Sequence, residues 1–351
     1  MTAPDLPVAR ASYRSTVVRL ACSVGLLGVL WWTIPDLEAS ALVPRWNASS
    51  ALWLAGALLA TLSSFILAAV RWREVLRAIG CDQPLSRLLG FVLAGQFVSN
   101  ALPSTVGGDV LRVRRLARDM GNSLTAMASV VLERLVGWLV LPALTFLGLG
   151  LNGGLRRLGT PAALALGVAV VTITGLGAFI GVLADRRMAR RLAGRSGWRR
   201  VASAVAEVLG GLRDHPTAGP NVLAIGAVYS ITMVLAAWMA ARVIGIDQVG
   251  PTAVLAFYPA VLVLQALPIG IAGFGIREGA LVLFLTPLGV PAEQAVALGV
   301  LLYLLTAVAS LLGAPAFAIG GRPSASSGTA SPDPDATSSS DTGTGTDEVA
   351  R

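Results

Sequence analysis

The sequence predicts an all-helical membrane protein that crosses the bilayer several times and consists of two related halves. Of its 351 residues, 55% are hydrophobic and 13% are charged, far from the composition of an average soluble domain. Many of the apolar residues fall in runs of about 20, the length that a helix needs to cross the hydrocarbon core. A short motif broken by Pro and Gly occurs twice, with its Pro at residue 103 and again at residue 268, an offset of 165 residues.

Six apolar runs are long enough to span the membrane as helices. They lie near 17–37, 50–70, 123–150, 160–183, 220–242 and 293–319. The first run lacks a small-residue cleavage site and contains the interfacial pair Trp31-Trp32, so we expect it to stay as a span. Two further apolar runs, 85–102 and 251–269, end in the repeated motif, and the second is followed by a short apolar piece at 279–290.

The repeated motif combines helix-breaking residues with one Arg. The two copies are Val98-Ser99-Asn100-Ala101-Leu102-Pro103 followed by Gly108 and Arg112, and Val263-Leu264-Gln265-Ala266-Leu267-Pro268 followed by Gly273 and Arg277. Because Pro removes a backbone donor and Gly permits conformations closed to other residues, both copies predict a broken membrane helix. Paired breaks in corresponding positions of two halves are typical of transport sites.

The placement of Arg predicts the orientation, because short cytoplasmic loops accumulate Arg. Three clusters are expected on the cytoplasmic side: Arg10, Arg14 and Arg19; Arg71, Arg73 and Arg77; and the seven Arg of residues 186–200. Since 85–102 has Arg on both sides, we interpret 85–110 as a re-entrant hairpin that dips from the cytoplasm, and 251–290 as its counterpart from the outside. The alternative, in which both hairpins cross, gives eight spans.

Each half then contains two spans, a hairpin and a third span, and this odd number of spans predicts an inverted repeat. The predicted units are a cytoplasmic N-terminus at 1–16, membrane repeats at 17–150 and 151–320, and a disordered tail at 321–351. Both termini of this multi-pass cell-membrane protein are expected in the cytoplasm. Within the second repeat, the basic cytoplasmic linker 185–219 is either a solvated loop or an amphipathic helix on the inner leaflet, and its Arg residues favour anionic inner-leaflet lipids.

Residues beside the two breaks are the candidates for substrate binding, because backbone amides freed at such a break hold anions. These candidates are Asn100, Pro103, Gly107, Gly108, Asp109 and Arg112 in the first copy, and Gln265, Pro268, Gly273, Gly275, Arg277 and Glu278 in the second. Charges in apolar sequence are costly unless they pair or meet water or a headgroup. The alternatives are that Arg112 only marks topology, that Asp109 caps a helix, and that Arg277 and Glu278 form a structural ion pair.

Glu133-Arg134 lies inside the third predicted span and is a candidate for proton coupling or, equally, a structural pair. We interpret Arg114, Arg115 and Arg118 as topology signals. The tryptophans that border predicted spans are interpreted as interfacial anchors, namely Trp31, Trp32, Trp46, Trp53 and Trp72.

Several functional classes lack their sequence signature. All 27 basic residues are Arg, and a nucleotide-binding Walker A loop needs a Lys, so ATP-driven chemistry is not encoded. Cys22 and Cys81 provide neither a disulfide framework nor metal-ligand spacing. We therefore predict no cofactor, no metal site and no nucleic-acid partner, and we do not expect an enzyme.

A set of short stretches resembles a known family. These stretches are Arg71-Trp72, Gly95 through Asn100, Leu102-Pro103 with Gly107-Gly108-Asp109 and Arg112, Glu133-Arg134, and Pro268 through Glu278. Together, over roughly residues 15–320, they resemble the flippase-like family that includes the transmembrane region of lysylphosphatidylglycerol synthases. The resemblance implies a membrane protein that moves or handles lipids, in some members aminoacylated phosphatidylglycerol and in others polyprenyl or hopanoid-type lipids. The synthases carry a large soluble aminoacyl-transfer domain after the membrane part, whereas this sequence has only the tail there, so synthase activity is not expected.

The leading hypothesis is therefore a lipid translocator, passive or ion-coupled, in which Arg112 and Arg277 pair with a lipid phosphate. One alternative is a membrane-embedded enzyme that acts on a lipid-linked substrate, with Asp109, Glu133 or Glu278 as acid or base. Another is a non-catalytic partner of a separate lipid synthase.

Overall fold

Helices account for all the regular structure in the part of the chain that the computed structural model describes, residues 47–101, 107–185, 198–267, 273 and 275–319 together with the isolated Gly28. In chain order they are α1 Ala48–Arg77, α2 Leu85–Ala101, α3 Gly107–Met120, α4 Ser123–Leu151, α5 Gly153–Arg156, α6 Thr160–Ala184, α7 Trp198–Asp214, α8 Ala218–Ile244, α9 Pro251–Gln265, α10 Ile276–Leu285, α11 Ala292–Ser310 and α12 Gly313–Ile319. A 3₁₀ turn at Thr286–Leu288 follows α10.

Five of these helices, α1, α4, α6, α8 and α11, are long and apolar enough to cross a membrane. They correspond to five of the six predicted spans, whereas the predicted span at 17–37 apart from Gly28, the N-terminus and the tail at 321–351 lie outside the described residues. Large apolar side chains such as Val170, Val171 and Phe179 of α6 are exposed, as expected for a surface that faces lipid. The protein is thus a multi-pass α-helical membrane protein.

Two helix ends differ from the predicted ends. The helix α1 continues to Arg77, seven residues beyond the apolar run, so Arg71 lies inside a helix rather than after it. The last predicted span, 293–319, is divided into α11 and α12 by a turn at Leu311-Leu312. The reason is Pro315, which has no N–H to donate to the carbonyl of Leu311 and therefore disfavours a continuous helix there.

Each copy of the repeated motif joins two helices that fold back on each other. Gly108 at the start of α3 lies against Gly95 and Ser99 of α2, so these two helices are antiparallel neighbours. In the second copy, Gly273 lies against Gln265, and Phe257 of α9 stacks on Phe284 of α10 with 5.4 Å between ring centroids. Both copies are therefore helical hairpins, and their re-entrant placement in the membrane stays a prediction.

Four successive helices recur at the spacing of the motif. Adding 165 to the bounds of α1 to α4 gives 213–242, 250–266, 272–285 and 288–316, and α8 to α11 lie at 218–244, 251–265, 276–285 and 292–310. The structure thus repeats the order of long helix, hairpin and long helix in both halves.

The equivalent helices α1 and α8 lie side by side and run in opposite directions. Trp53 near the start of α1 packs against Trp238 near the end of α8, with 5.3 Å between ring centroids. Further along α1, the guanidinium carbon of Arg71 lies 4.7 Å from the ring centroid of Tyr229, which precedes Trp238 by nine residues in α8. Because α1 and α8 are equivalent, the two sets of helices have opposite directions.

Two reciprocal glycine contacts join the halves. Gly148 of α4 lies against the backbone of α9 at Leu255 and Ala256, and Gly313, 165 residues after Gly148, lies against the backbone of α2 at Leu93 and Ala94. Since α2 and α9 are equivalent, each half packs one of these glycines against the equivalent helix of the other half. An approximate two-fold relation between the halves requires such a pair of contacts.

Part of the predicted linker forms the helix α7, so the loop alternative is wrong for Trp198–Asp214. Its buried residues Val205, Val208 and Leu212 pack with Val75 of α1 and Leu132 of α4. The apolar face of α7 is therefore covered by protein rather than by the inner leaflet.

Candidate functional site

The ends of both hairpins line one cavity of about 350 Å³. Side chains from both halves surround it, and six of them are charged: Arg71, Asp109, Arg112, Glu133, Arg134 and Arg277. A volume of this size is typical of small-molecule sites, which bind through a few well-placed polar groups.

The least exposed charged group of the wall is the Glu133 carboxylate, which lies between two guanidinium groups. Arg71 donates to Oε1 through Nε, at 2.9 Å, and through Nη2, while Arg112 donates to Oε2 through Nη2 at 3.4 Å. The side chains of Arg71, Arg112 and Glu133 are only 6%, 8% and 2% exposed. Because unpaired buried charges are strongly unfavourable, these three side chains depend on one another.

The absence of a side chain at Gly137 makes room for Arg71. A Cβ atom at Gly137 of α4 would lie 2.7 Å from Nη1 of Arg71, and one at Gly226 of α8 would lie 3.7 Å from its Cδ. The guanidinium therefore occupies a slot that depends on Gly137, whereas a Cβ at Gly226 would be at ordinary van der Waals distance.

Aromatic rings cover three of the guanidinium groups. The Cζ of Arg112 lies 4.3 Å from the Trp72 ring centroid, Arg71 lies over Tyr229, and the Cζ of Arg277 lies 5.7 Å from the ring of Tyr303. Such cation–π contacts favour the charged group in a desolvated site.

Trp72 is not the interfacial anchor that the sequence predicted. It has no exposed surface, and its Nε1 donates to Ser129 Oγ at 3.1 Å. The extension of α1 to Arg77 accounts for the difference, because it places Trp72 within a packed helix rather than at a span end.

A second ion pair, Asp109–Arg134, lies nearer to solvent. Arg134 donates through Nε to Oδ2 at 2.7 Å and through Nη2 to Oδ1 at 2.8 Å, a bidentate arrangement. The Arg134 side chain is 44% exposed and that of Asp109 is 18% exposed. Asp109 Oδ1 also lies 3.6 Å from Nη1 of Arg112, so an unbroken chain of ion pairs runs from Arg134 to Arg71.

In the second half, Arg277 and Glu278 pair with each other. Arg277 approaches Glu278 Oε1 through Nη2 at 2.5 Å and through Nε at 3.1 Å, and Oε2 accepts from the backbone N–H of Gly275 at 2.7 Å. Gly275 has φ of 82°, a conformation that favours glycine, so the turn into α10 positions this pair. Arg277 lines the cavity, whereas Glu278 does not line it and contacts it through its ion pair with Arg277.

The structure brings eight of the predicted site residues to the cavity wall: Asn100, Gly108, Asp109, Arg112, Glu133, Arg134, Gln265 and Arg277. Gly107, Gly273, Gly275 and Glu278 lie close to these residues in sequence without lining the cavity. Pro103 and Pro268 lie outside the described residues.

Arg115 differs from its interpretation as a topology signal. It is buried, and its Nη1 and Nη2 donate to the backbone carbonyls of Ala316 and Phe317 at 3.0 Å each. Arg115 therefore satisfies carbonyl groups in the last turn of α12, a common role for a cation at a helix C-terminus.

The sequence did not identify Arg71, Tyr229 and Tyr303 as site residues. A signal for Arg71 was present, because Trp72, Val75, Leu76 and Ile79 continue the helical spacing of apolar residues beyond residue 70. Tyr229 and Tyr303 stand within long apolar runs and carry no such signal.

Together these features define a multi-pass membrane protein with a charged cavity between two oppositely directed sets of helices. The chain belongs to the family described as the lysylphosphatidylglycerol synthase TM region, whose model matches residues 16–313. This match confirms the resemblance seen in the sequence. No curated protein matches the chain with significance.

Proposed function

We propose that the protein moves a lipid between the two leaflets, with the phosphate of the headgroup bound by Arg112 and Arg277. The observation that carries this proposal is that buried guanidinium groups from both hairpins line a single cavity. A buried Arg at membrane depth is costly unless it has a function or a partner, and Arg is well suited to bind a phosphate in bidentate fashion.

The family adds support for lipid as the substrate, because its description names the synthase of a modified phospholipid. The oppositely directed helix sets support alternating access, in which inverted repeats rock about a central site and expose it to each side in turn. In this proposal the hairpins are re-entrant, and their tips meet near the midplane of an inverted repeat.

Transport in this proposal is passive or coupled to ions through Glu133 and Arg134. The carboxylate of Glu133 holds Arg112, so its release is the step that frees this guanidinium for the phosphate. A proton on Glu133 would loosen the same contact and link transport to a proton gradient.

The test is a lipid-translocation assay in proteoliposomes with fluorescent phospholipids, using Arg112→Gln and Arg277→Gln. We expect each substitution to slow translocation about 10- to 100-fold, because a hydrogen bond to a charged group contributes about 1.5–3 kcal/mol. Arg114→Gln is the matched control, since Arg114 lies on the same helix as Arg112 but is exposed. We expect it to retain the wild-type rate.

An unchanged rate in the double variant Arg112→Ala, Arg277→Ala would refute the proposal. Analysis of the same lipids after the assay separates transport from catalysis, because a membrane-embedded enzyme would convert the labelled lipid into a new product.

A further inference from the structure

We infer that the cavity selects a phosphodiester headgroup with a net charge of −1, over a zwitterionic phosphodiester and over a phosphomonoester with two negative charges. This inference rests on the proposed translocation and adds the charge class of the substrate. It follows from the charges of the cavity wall and from buried donors that lack a partner among the described residues.

The charges of the wall and of its supporting ion pair sum to one positive charge. Four guanidinium groups, Arg71, Arg112, Arg134 and Arg277, face three carboxylates, Asp109, Glu133 and Glu278, so the described side chains carry a net charge of +1. The residues between the helices of each hairpin, 102–106 and 266–275, contain no charged residue in the sequence. They leave this sum unchanged.

A headgroup with a net charge of −1 therefore makes the occupied site neutral. A dianionic phosphomonoester would leave a net charge of −1, and a zwitterionic headgroup would leave +1. Beside Arg71, Arg112 and Glu133, whose side chains are buried, an uncompensated charge is strongly unfavourable.

Buried polar atoms on the wall provide a second observation. Within the described part of the chain, Nη1 of Arg71, Nε of Arg112 and Oγ of Ser230 have no hydrogen-bond partner, and all three residues line the cavity. Taken as whole residues, Arg71, Arg112 and Ser230 are 5%, 7% and 1% exposed, so bulk water does not satisfy these polar atoms. The non-bridging oxygens of a phosphate accept hydrogen bonds from such donors, so these atoms favour a phosphate ligand, while the charge sum sets its charge class.

The experiment compares three fluorescent lipids with the same acyl chains in proteoliposomes: phosphatidylglycerol, phosphatidylcholine and phosphatidic acid. All are measured at a pH at which the phosphatidic acid headgroup carries two charges. We expect the wild-type protein to move phosphatidylglycerol faster than the other two by at least about tenfold, because one uncompensated charge at close range in such a site costs at least that factor. Equal rates for phosphatidylglycerol and phosphatidic acid would overturn the inference.

Asp109→Asn and Arg134→Gln form a matched pair of variants. Both break the same ion pair, whose Nε and Oδ2 atoms are 2.7 Å apart, but they change the cavity charge in opposite directions, to +2 and to 0. We expect Asp109→Asn to shift the preference towards phosphatidic acid and Arg134→Gln to shift it towards phosphatidylcholine. A structural defect alone would slow all three lipids alike in both variants.

The same order of preference in the wild-type protein and in both variants would refute the charge rule while translocation itself stands. If the wild-type protein moved none of the three lipids, the proposed function would fail instead.

Discussion

Replacing Glu133 with Ala is expected to destabilise the protein by about 3–5 kcal/mol, the usual cost of removing one partner from a buried ion pair. Glu133 is 2% exposed and joins Arg71 to Arg112, so the substitution leaves two buried guanidinium groups without their shared counter-ion. Thermal or denaturant unfolding of the purified protein in detergent micelles measures the change. We expect Glu133→Gln to have a smaller effect, because the amide keeps the shape and one acceptor oxygen.

Glu74→Ala is the matched control for this substitution. Glu74 pairs with Arg77 at 3.0 Å on the same helix as Arg71, where the Arg77 side chain is 44% exposed. Exposed pairs contribute about 0–1 kcal/mol, so this control is expected to have little effect. Equal losses of stability in the Glu133→Ala and Glu74→Ala proteins would show that the buried chain of ion pairs does not stabilise the fold.

The second large effect is expected for Gly148→Ala, which places a methyl group between the two halves. A Cβ at this position would lie 2.6 Å from the Cα of Ala256 and 2.8 Å from the carbonyl carbon of Leu255, and backbone atoms cannot move aside as a flexible side chain does. Overpacking of this kind costs about 1–3 kcal/mol. Thermal or denaturant unfolding in detergent micelles measures this loss of stability as well.

Gly150→Ala provides the comparison within the same helix, because no atom lies within 4 Å of a Cβ there. We expect it to be neutral or stabilising by up to about 1 kcal/mol, since Ala is the better helix former. Gly313→Ala, the counterpart of Gly148→Ala in the other half, should be destabilising as well. If Gly148→Ala were as stable as Gly150→Ala, the close contact between α4 and α9 would be disproved.

Much of the fold was predictable because membrane helices and their interruptions have strong local signals. The apolar runs predicted α1, α4, α6, α8 and the greater part of α11, and the spacing of the repeated Pro and Gly residues predicted two related hairpins. Glu133 and Arg277 were identified because charged residues within apolar sequence are conspicuous.

The remaining site residues depend on long-range packing. Arg71 contacts Glu133, 62 residues away in the chain, and hydropathy alone placed Arg71 after its span. Tyr229 and Tyr303 become site residues only because α8 and α11 pack against the first half. The burial of Trp72 beneath Arg112 likewise follows from tertiary contacts rather than from its own sequence position.

The slot around Arg71 has a consequence for how this protein can diverge. Any side chain at residue 137 would force the guanidinium beside Glu133 to shift, since a Cβ there would lie 2.7 Å from Nη1. A lineage that lost the arginine at 71 would lose the steric reason to keep glycine at 137, whereas one that kept the arginine has no such freedom. Position 137 is therefore expected to change only where position 71 has changed as well.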